Sequence, residues 1–243
     1  IVTLVLMAGL AATALNIFLP SLPSIAEDLQ VDYALVQLLV SGYLAGTAIM
    51  QIIIGPLSDR YGRRPVVLIC IAIFILGAIV SAAATSFEVL MLGRLVQTVV
   101  VSGFALSRAI VRDMVPMEQA ASMIGYVTMG MTLVPMVMPA IGGYLDRSYG
   151  WRASFILATI LGVAVLLLAW RDLGETNRYK TSSFKAQFAA YPELIGSRRF
   201  WGYTLTASFA AGAFFAFLGG APYEATHMLG QDPLDLGLNL FFI

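Results

Sequence analysis

Seven apolar stretches, separated by polar connections, set the pattern of hydrophobic and polar positions along the chain. A helix needs about 20 apolar residues to cross the hydrocarbon core of a bilayer, and each stretch is close to that length. A further apolar run begins near residue 236. The pattern predicts membrane-spanning helices over 2–19, 34–54, 66–85, 89–110, 119–141, 153–170 and 200–219.

Composition supports this prediction. The chain has 243 residues, of which 59% are hydrophobic and 12% charged, and its net charge is zero. Soluble domains carry about 25% charged residues, so a soluble or disordered chain is excluded, and nothing indicates binding to nucleic acid or a cofactor. The single cysteine, Cys70, excludes a disulfide scaffold. Because the chain begins and ends within apolar runs, we expect it to be an internal piece of a longer membrane protein.

Basic residues predict how the helices are oriented, because cytoplasmic connections are enriched in lysine and arginine. Alternate connections hold only Arg147 and Arg152. The remaining connections are therefore predicted to be cytoplasmic, together with the N-terminal side, in a plasma or bacterial inner membrane. They carry Arg60, Arg63, Arg64, Arg108, Arg112, Arg171, Arg178, Lys180, Lys185, Arg198 and Arg199.

The lengths of the connections predict two helical bundles. Most connections are short, but a long polar stretch separates the sixth apolar segment from the seventh. We expect an N-terminal six-helix bundle over 1–170, a cytoplasmic linker over 171–199 and the start of a second bundle over 200–243.

Two similar strings indicate an internal repeat. Residues 55–64 and residues 142–152 both read G-x-x-x-D-R, followed by Tyr-Gly and then arginine. One string follows the second helix and the other the fifth, so the predicted topology places them on opposite sides. Inverted repeats of three helices are typical of secondary transporters, although short Gly/Asp/Arg turns can also recur by chance.

The string from Gly55 to Leu68, GPLSDRYGRRPVVL, is the most specific in the chain. Positive-inside topology alone would need its arginines but not its two glycines and its acid. The string resembles the loop signature of the major facilitator superfamily, G-x-L-x-D-R-x-G-R-[RK]-x-x-x-L. The resemblance implies an all-α membrane fold of inverted three-helix repeats. It also implies a cytoplasmic gate, for which the candidates are Gly55, Asp59, Arg60, Gly62, Arg63, Arg64 and, as partner of Asp59, Arg112.

Arg94 is a basic residue inside an apolar stretch. A buried guanidinium costs several kcal/mol unless it faces water or a partner, so a role in the substrate cavity is the leading hypothesis. The alternative is that Arg94 lies close enough to the membrane surface for its side chain to reach water. Gln97 extends the polar face. The pair resembles the R-x-x-Q-G pattern of the same superfamily, in which the arginine is implicated in proton movement.

The fifth helix is predicted to bend, because proline interrupts helical hydrogen bonding and glycine allows helices to approach closely. Met138 to Gly143 resembles the G-P-x-x-G-G motif of the antiporter branch. A generic kinked membrane helix is the alternative. The candidate hinge consists of Pro135, Pro139, Gly142 and Gly143.

The end of the first helix, Asn16 to Ile25, together with the string RAIVRDMVP from Arg108 to Pro116 and the pair Ala221-Pro222, resembles the Bcr/CflA group of drug–proton antiporters. Members of that group often carry an acid at the position of Asn16, which cannot bind and release a proton. Tyr43 and Gln51 lie on one face of the second helix and are further candidates for the cavity wall. We found no acid near the middle of a complete helix, so coupling would need an acid at a helix end or in the missing part of the protein.

The leading hypothesis is a transporter, not an enzyme, that exports small lipophilic drugs by alternating access in exchange for protons. Its expected partners are the substrate, protons and membrane lipid, and it is expected to be a monomer. An uncoupled or metabolite-specific transporter remains open because of Asn16. A seven-helix receptor is the more remote alternative, although no lysine for a retinal occurs in 200–219.

Overall fold

The computed structural model describes residues 1–177 and 191–227, and within these ranges the chain is helical without strands. Six helical segments there are long and apolar enough to span a membrane. They are called the first to sixth spans and cover Val2–Leu29, Tyr33–Tyr61, Arg63–Ala82, Phe87–Met114, Glu118–Tyr149 and Arg152–Asp172.

The predicted all-α fold and its first six spans are confirmed, with longer boundaries for most spans. A short helix, Tyr191–Gly196, precedes a seventh helix at Arg198–His227. Most of the predicted linker and the apolar run near residue 236 lie outside the described residues.

The first span extends ten residues beyond its predicted end at residue 19 and is not one continuous helix. Its first part is Val2–Asn16; a 3₁₀ turn follows at Leu19–Ser21, and a second helix covers Leu22–Leu29. Pro20 and Pro23 explain the break, because proline has no backbone N–H to donate within a helix.

The fourth span has a similar irregularity. It consists of helices Phe87–Gln97 and Val101–Met114, joined by a 3₁₀ segment at Thr98–Val100. The tighter winding of a 3₁₀ segment changes the direction of the side chains that follow. The first and fourth spans are the most buried of the six, so their two irregular segments lie in the interior of the bundle.

Small residues allow the spans to pack closely. A Cβ atom added to Gly77 of the third span would lie 2.9 Å from the carbonyl oxygen of Gly93 in the fourth. A Cβ atom on Gly103 of the fourth span would lie 2.6 Å from the carbonyl oxygen of Met7 in the first. Both distances are too short for a side chain, so glycine is what permits these backbones to approach.

The two predicted repeats end in the same way. The second span ends before Gly62 and the fifth before Gly150, and both glycines have positive φ values, 107° and 81°. Such backbone conformations are accessible almost only to glycine. In each case the next helix starts within two residues, at Arg63 and at Arg152. The structure therefore reproduces the sequence similarity as an equivalent turn between equivalent helices.

Candidate functional site: a cavity among the first, second, fourth and fifth spans

A cavity of about 260 Å³ lies among four of the spans. This volume is slightly below the range of small-molecule pockets, which begins at about 300 Å³. Polar groups come from Asn16, Tyr43, Thr47 and Gln51, so the predicted face of the second span does form part of the wall. The remaining wall is apolar and consists of Ala11, Ala12, Leu15, Leu44, Val101, Phe104, Met131 and Pro135.

Asn16 is a polar residue of the cavity wall with one unpaired acceptor atom. It is the last residue of the first helical part of the first span and is 3% exposed. Its Nδ2 atom donates to the carbonyl oxygen of Ala12 at 2.7 Å, which determines the orientation of the amide. Its Oδ1 atom is buried without a hydrogen-bond partner among the described residues. An unpaired buried acceptor costs free energy, so any donor that reached Oδ1 would be favourable.

Arg94 lies one layer behind the cavity wall and is fully buried. Its guanidinium carbon is 4.1 Å from the centroid of the Tyr43 ring and 4.1 Å from that of Phe18. Its Nη1 atom donates to the carbonyl oxygen of Ala14 at 2.7 Å, and this carbonyl is in the last turn of a helix, where backbone acceptors lack helical partners. The rings of Tyr43 and Phe18 and the carbonyl oxygen of Ala14 thus stabilise the positive charge of Arg94.

Gln97 holds Arg94 in place. Its Oε1 atom accepts from Arg94 Nη1 at 2.9 Å, and its Nε2 atom donates to Ser81 Oγ at 2.8 Å and to the carbonyl oxygen of Gly77 at 3.2 Å. These bonds connect the first, third and fourth spans. Arg94 and Gln97 were expected in the substrate cavity but lie behind its wall. Arg94 contacts the wall residue Tyr43, and Gln97 contacts Arg94.

The second predicted cluster surrounds Asp59 at one end of the bundle, here called the Asp59 end. Asp59 forms a 2.5 Å ion pair with Arg63, which also lies 3.2 Å from Asp113 of the fourth span. Arg63 is therefore a basic partner of Asp59, whereas Arg112, the predicted partner, is exposed. The acid next to Arg112 in sequence, Asp113, is the group that joins the cluster.

The same end contains two residues that the sequence did not reveal, Glu175 and Asn177. Glu175 Oε1 accepts from the backbone N–H of Arg63 at 2.9 Å, at the start of the third span. The same carboxylate lies where a Cβ atom on Gly62 would be. Asn177 Nδ2 donates to the carbonyl oxygen of Asp59 at 2.9 Å. A carboxylate at a helix N-terminus is favourable because it meets free N–H groups and the positive end of the helix dipole.

The remaining predicted gate residues have more peripheral positions. Arg60 lies over the ring of Tyr61 at 5.5 Å, and Arg64 Nη2 donates to the carbonyl oxygen of Trp170 at 2.9 Å. A Cβ atom at Gly55 would meet nothing within 4 Å. Arg64 therefore ties the third span to the sixth, while Gly55 makes no close approach.

The fifth span is continuous despite Pro135 and Pro139. Pro139, Gly142 and Gly143 are buried at helical spacing, so they form one face of the span. Gly142 meets the carbonyl oxygen of Ile17, at the break in the first span, so closely that a Cβ atom would overlap it. Gly142, one of the predicted hinge residues, thus contacts the irregular part of the first span.

Asp146, the acid of the second repeated string, continues this face. It is 8% exposed, and its Oδ2 atom accepts from Ser24 Oγ at 2.7 Å. It occupies the position in the second repeat that Asp59 occupies in the first. The repeated string contained the signal, because it aligns the two acids, but only the structure shows that Asp146 is buried.

Six membrane-spanning segments, arranged as two triplets with equivalent turns and enclosing a part-polar cavity, define a multi-pass membrane protein of the transporter type. Residues 4–243 match the family model described as Major Facilitator Superfamily. The chain belongs to this superfamily.

Two curated relatives carry names that refer to drug resistance. Multidrug resistance protein D of Escherichia coli is 30% identical over 203 residues, which are 83% of this chain and 51% of that protein. The chloramphenicol resistance protein of Pseudomonas aeruginosa is 31% identical over 235 residues, 96% of this chain and 55% of that protein. The chain therefore spans about half the length of these relatives. Their names confirm the resemblance to the Bcr/CflA-like drug-efflux branch.

A solved structure shows the same fold. The bacterial homologue of the human lysosomal transporter Spinster, in an inward-facing and unoccupied conformation, has a TM-score of 0.78 and 21% identity. The match covers 98% of this chain and 56% of that one. The described helices are thus the N-terminal half of a major facilitator fold.

Proposed function

We propose that the full-length protein exports small lipophilic drugs by alternating access, in exchange for protons. One observation carries the proposal: a mainly apolar cavity is lined by Asn16, whose buried Oδ1 atom is an unpaired acceptor, in a chain whose relatives are named for drug resistance. Apolar walls with a few convergent polar groups are the usual form of a small-molecule site. The second half of the protein would close this cavity from the other side.

The fifth span is proposed to transmit the movement that opens and closes the cavity. Pro135 forms part of the wall, and one helical turn further on, Pro139 begins the buried face that reaches Gly142. This face contacts the first span at its break, where Asn16 ends the helix. A shift of either span would therefore change the shape of the wall and the position of Asn16 together.

The Asp59 end is proposed as the cytoplasmic gate. Arg63 joins Asp59 and Asp113, and Glu175 accepts from its backbone, so one residue connects segments from the second, third and fourth spans and the chain after the sixth. Movement between these spans would have to break charge-assisted hydrogen bonds, which are stronger than neutral ones. The cluster would thus favour one conformation until a substrate supplies compensating contacts.

Asp146 is the acid to which we assign proton binding within this chain. Among the described acidic residues it is the buried one, and it lies on the face of the fifth span that contacts the first. Ser24 donates to it from the second helical part of the first span. Protonation would remove its charge and weaken that bond, which links proton binding to the proposed moving contact.

An uncoupled facilitator is the second candidate, because the described cavity wall contains no carboxylate and Asn16 stands where relatives of the group often have an acid. Drug transport would then follow the concentration gradient of the drug alone.

Everted membrane vesicles containing the full-length protein would distinguish these functions. With an inside-acid pH gradient, chloramphenicol should cause proton efflux in the wild type. Arg94→Ala should abolish the efflux and the matched control Arg171→Ala, at an exposed helix end, should keep it. Asp146→Asn should permit downhill drug movement without proton efflux, whereas Glu118→Gln, also exposed, should remain coupled.

Downhill drug movement without proton efflux in the wild type would replace the antiporter with the facilitator. If neither chloramphenicol movement nor proton efflux occurs, the proposed transport of chloramphenicol is refuted.

The proposed setting is a bacterial inner membrane, with a cytoplasmic N-terminal side and a monomeric protein surrounded by lipid. Accessibility of cysteines introduced at Arg60 and Arg147 to a membrane-impermeant reagent in intact cells tests the orientation. Only the cysteine at position 147 should react from outside.

A further inference from the structure

Two arginines stand behind the aromatic wall of the cavity. Arg94 stacks on Tyr43 and Arg108 stacks on Phe104, each with its guanidinium carbon 4.1 Å from the ring centroid. Both rings line the cavity. Neither arginine is among the residues that line the cavity, so each positive charge lies beside a lining ring rather than in the wall itself.

From this arrangement we infer that the cavity takes amphiphiles that carry a hydrogen-bond donor and no positive charge, and that it excludes lipophilic cations. The inference rests on the proposed function, since it names the class of substrate that the same cavity would bind. Three features of the cavity support it: the charge behind the wall, the use of the ring faces, and the free acceptor.

The first feature is that no negative charge in the described cavity wall balances the positive charges of Arg94 and Arg108. None of the described lining residues is acidic. A ligand atom against Tyr43 would be about 8 Å from the Arg94 guanidinium, from 4.1 Å on one side of the ring and a normal contact of about 4 Å on the other. At an effective dielectric constant of about 20, the repulsion between two unit charges at that distance lowers affinity by roughly 30-fold.

The ring faces are already in use. Aromatic rings bind lipophilic cations through the negative potential of their faces. At Tyr43 and Phe104 an arginine of the protein occupies one face, and its charge reduces the negative potential on the other. These two rings would otherwise be the natural site for a cationic drug in an apolar cavity.

The free acceptor determines what the cavity selects instead. Asn16 Nδ2 is bound to the carbonyl oxygen of Ala12, so Oδ1 is the atom left for a ligand. An acceptor requires a donor, which a hydroxyl or an amide N–H supplies without carrying charge. A ligand with an apolar body and such a donor would satisfy both the Asn16 acceptor and the apolar wall.

A binding assay on the purified full-length protein in detergent tests this, using two related compounds. Chloramphenicol is uncharged and has hydroxyl and amide donors; its deacylated amine keeps the nitrophenyl group and the diol but is cationic near neutral pH. The wild type should bind chloramphenicol at least about tenfold more tightly than the amine, allowing for screening of the estimated repulsion.

Two variants change the charge of the site in independent ways. Asn16→Asp adds a negative charge at the wall, and Arg108→Gln removes a positive charge behind it. Each should lower the preference for chloramphenicol over the amine by at least about fivefold. Gln119→Glu and Arg171→Gln make the same charge changes at exposed positions and should leave the preference as in the wild type. Because Arg108 is partly exposed, its variant keeps the test decisive even if Asn16→Asp does not fold.

The inference is overturned if the wild type binds the two compounds equally, if it binds neither, or if both folded cavity variants keep the wild-type preference. Failure of the proposed function looks different: the preference and its changes would appear in the binding assay, while vesicles would show no movement of chloramphenicol.

Discussion

Gly62 and Gly150 allow the contribution of one acidic side chain at the Asp59 end to be measured. Both glycines end a span with positive φ and with ψ near 160°, at 153° and 164°. Alanine in this region is strained by about 1–3 kcal/mol at either position. At Gly150 a new Cβ atom would meet nothing within 4 Å, whereas at Gly62 it would collide with the Glu175 carboxylate. Gly150→Ala is therefore a control for strain alone.

The collision at Gly62 should displace the carboxylate that binds the first backbone N–H of the third span at 2.9 Å. A hydrogen bond to a charged group contributes about 1.5–3 kcal/mol, but Glu175 is exposed, and screening by solvent reduces this to about 1 kcal/mol. We expect Gly150→Ala to destabilise the protein by about 1–3 kcal/mol and Gly62→Ala by about 1 kcal/mol more.

Equilibrium unfolding of the full-length protein in mixed micelles would measure these differences, with Glu175→Ala as the third variant. In a Glu175→Ala background the collision and the hydrogen bond are both absent, so Gly62→Ala should cost no more than Gly150→Ala. Equal costs in the wild-type background, or an excess cost at Gly62 that persists without Glu175, would refute the assignment of Glu175 as the partner of this turn.

Two further predictions concern packing and the charged cluster. Gly142→Ala should reduce thermal stability and drug transport, because a Cβ atom would overlap the carbonyl oxygen of Ile17; Gly125→Ala, on the same span with nothing within 4 Å, should change neither. Arg63→Gln should increase proteolysis at the Asp59 end, since it removes two ion pairs, whereas Arg112→Gln should leave the cleavage pattern unchanged. Equal effects within either pair of variants would contradict the contacts described.

The six spans could be predicted from the sequence because each must bury its backbone polar groups within a single apolar helix. The end of the first span could not. Pro20 and Pro23 indicate an end, but the chain resumes as a helix at Leu22 and continues to Leu29. Tertiary packing stabilises this continuation, and hydropathy along the chain contains no signal of that packing.

The candidate site was predictable where the chemistry is local. Asn16, Tyr43 and Gln51, proposed from the sequence as wall residues, lie in the cavity wall, and Arg94 is buried behind it. Two partners of Arg94, the Phe18 ring and the Ala14 carbonyl, were not predictable. Both are distant from Arg94 in sequence, and neither residue belongs to a recognisable motif.

Long-range partners also explain what sequence reasoning missed at the Asp59 end. Asp59 and Arg63 are four residues apart and pair across the turn at Gly62. Asp113 and Glu175 reach the same arginine from 50 and 112 residues away. No periodicity connects such positions, so they become visible only when the helices are assembled.

The two aligned acids show how one repeated string can serve two purposes. Asp59 is 34% exposed in its side chain and forms an ion pair with Arg63. Asp146 is buried and accepts from a neutral hydroxyl of Ser24, so its surroundings do little to stabilise a charge. The first arrangement is an ion pair between neighbouring helices, and the second suits the proton binding proposed for Asp146. If the proposed coupling is correct, the repeat supplied the acid, and the burial of only one copy made it a proton carrier.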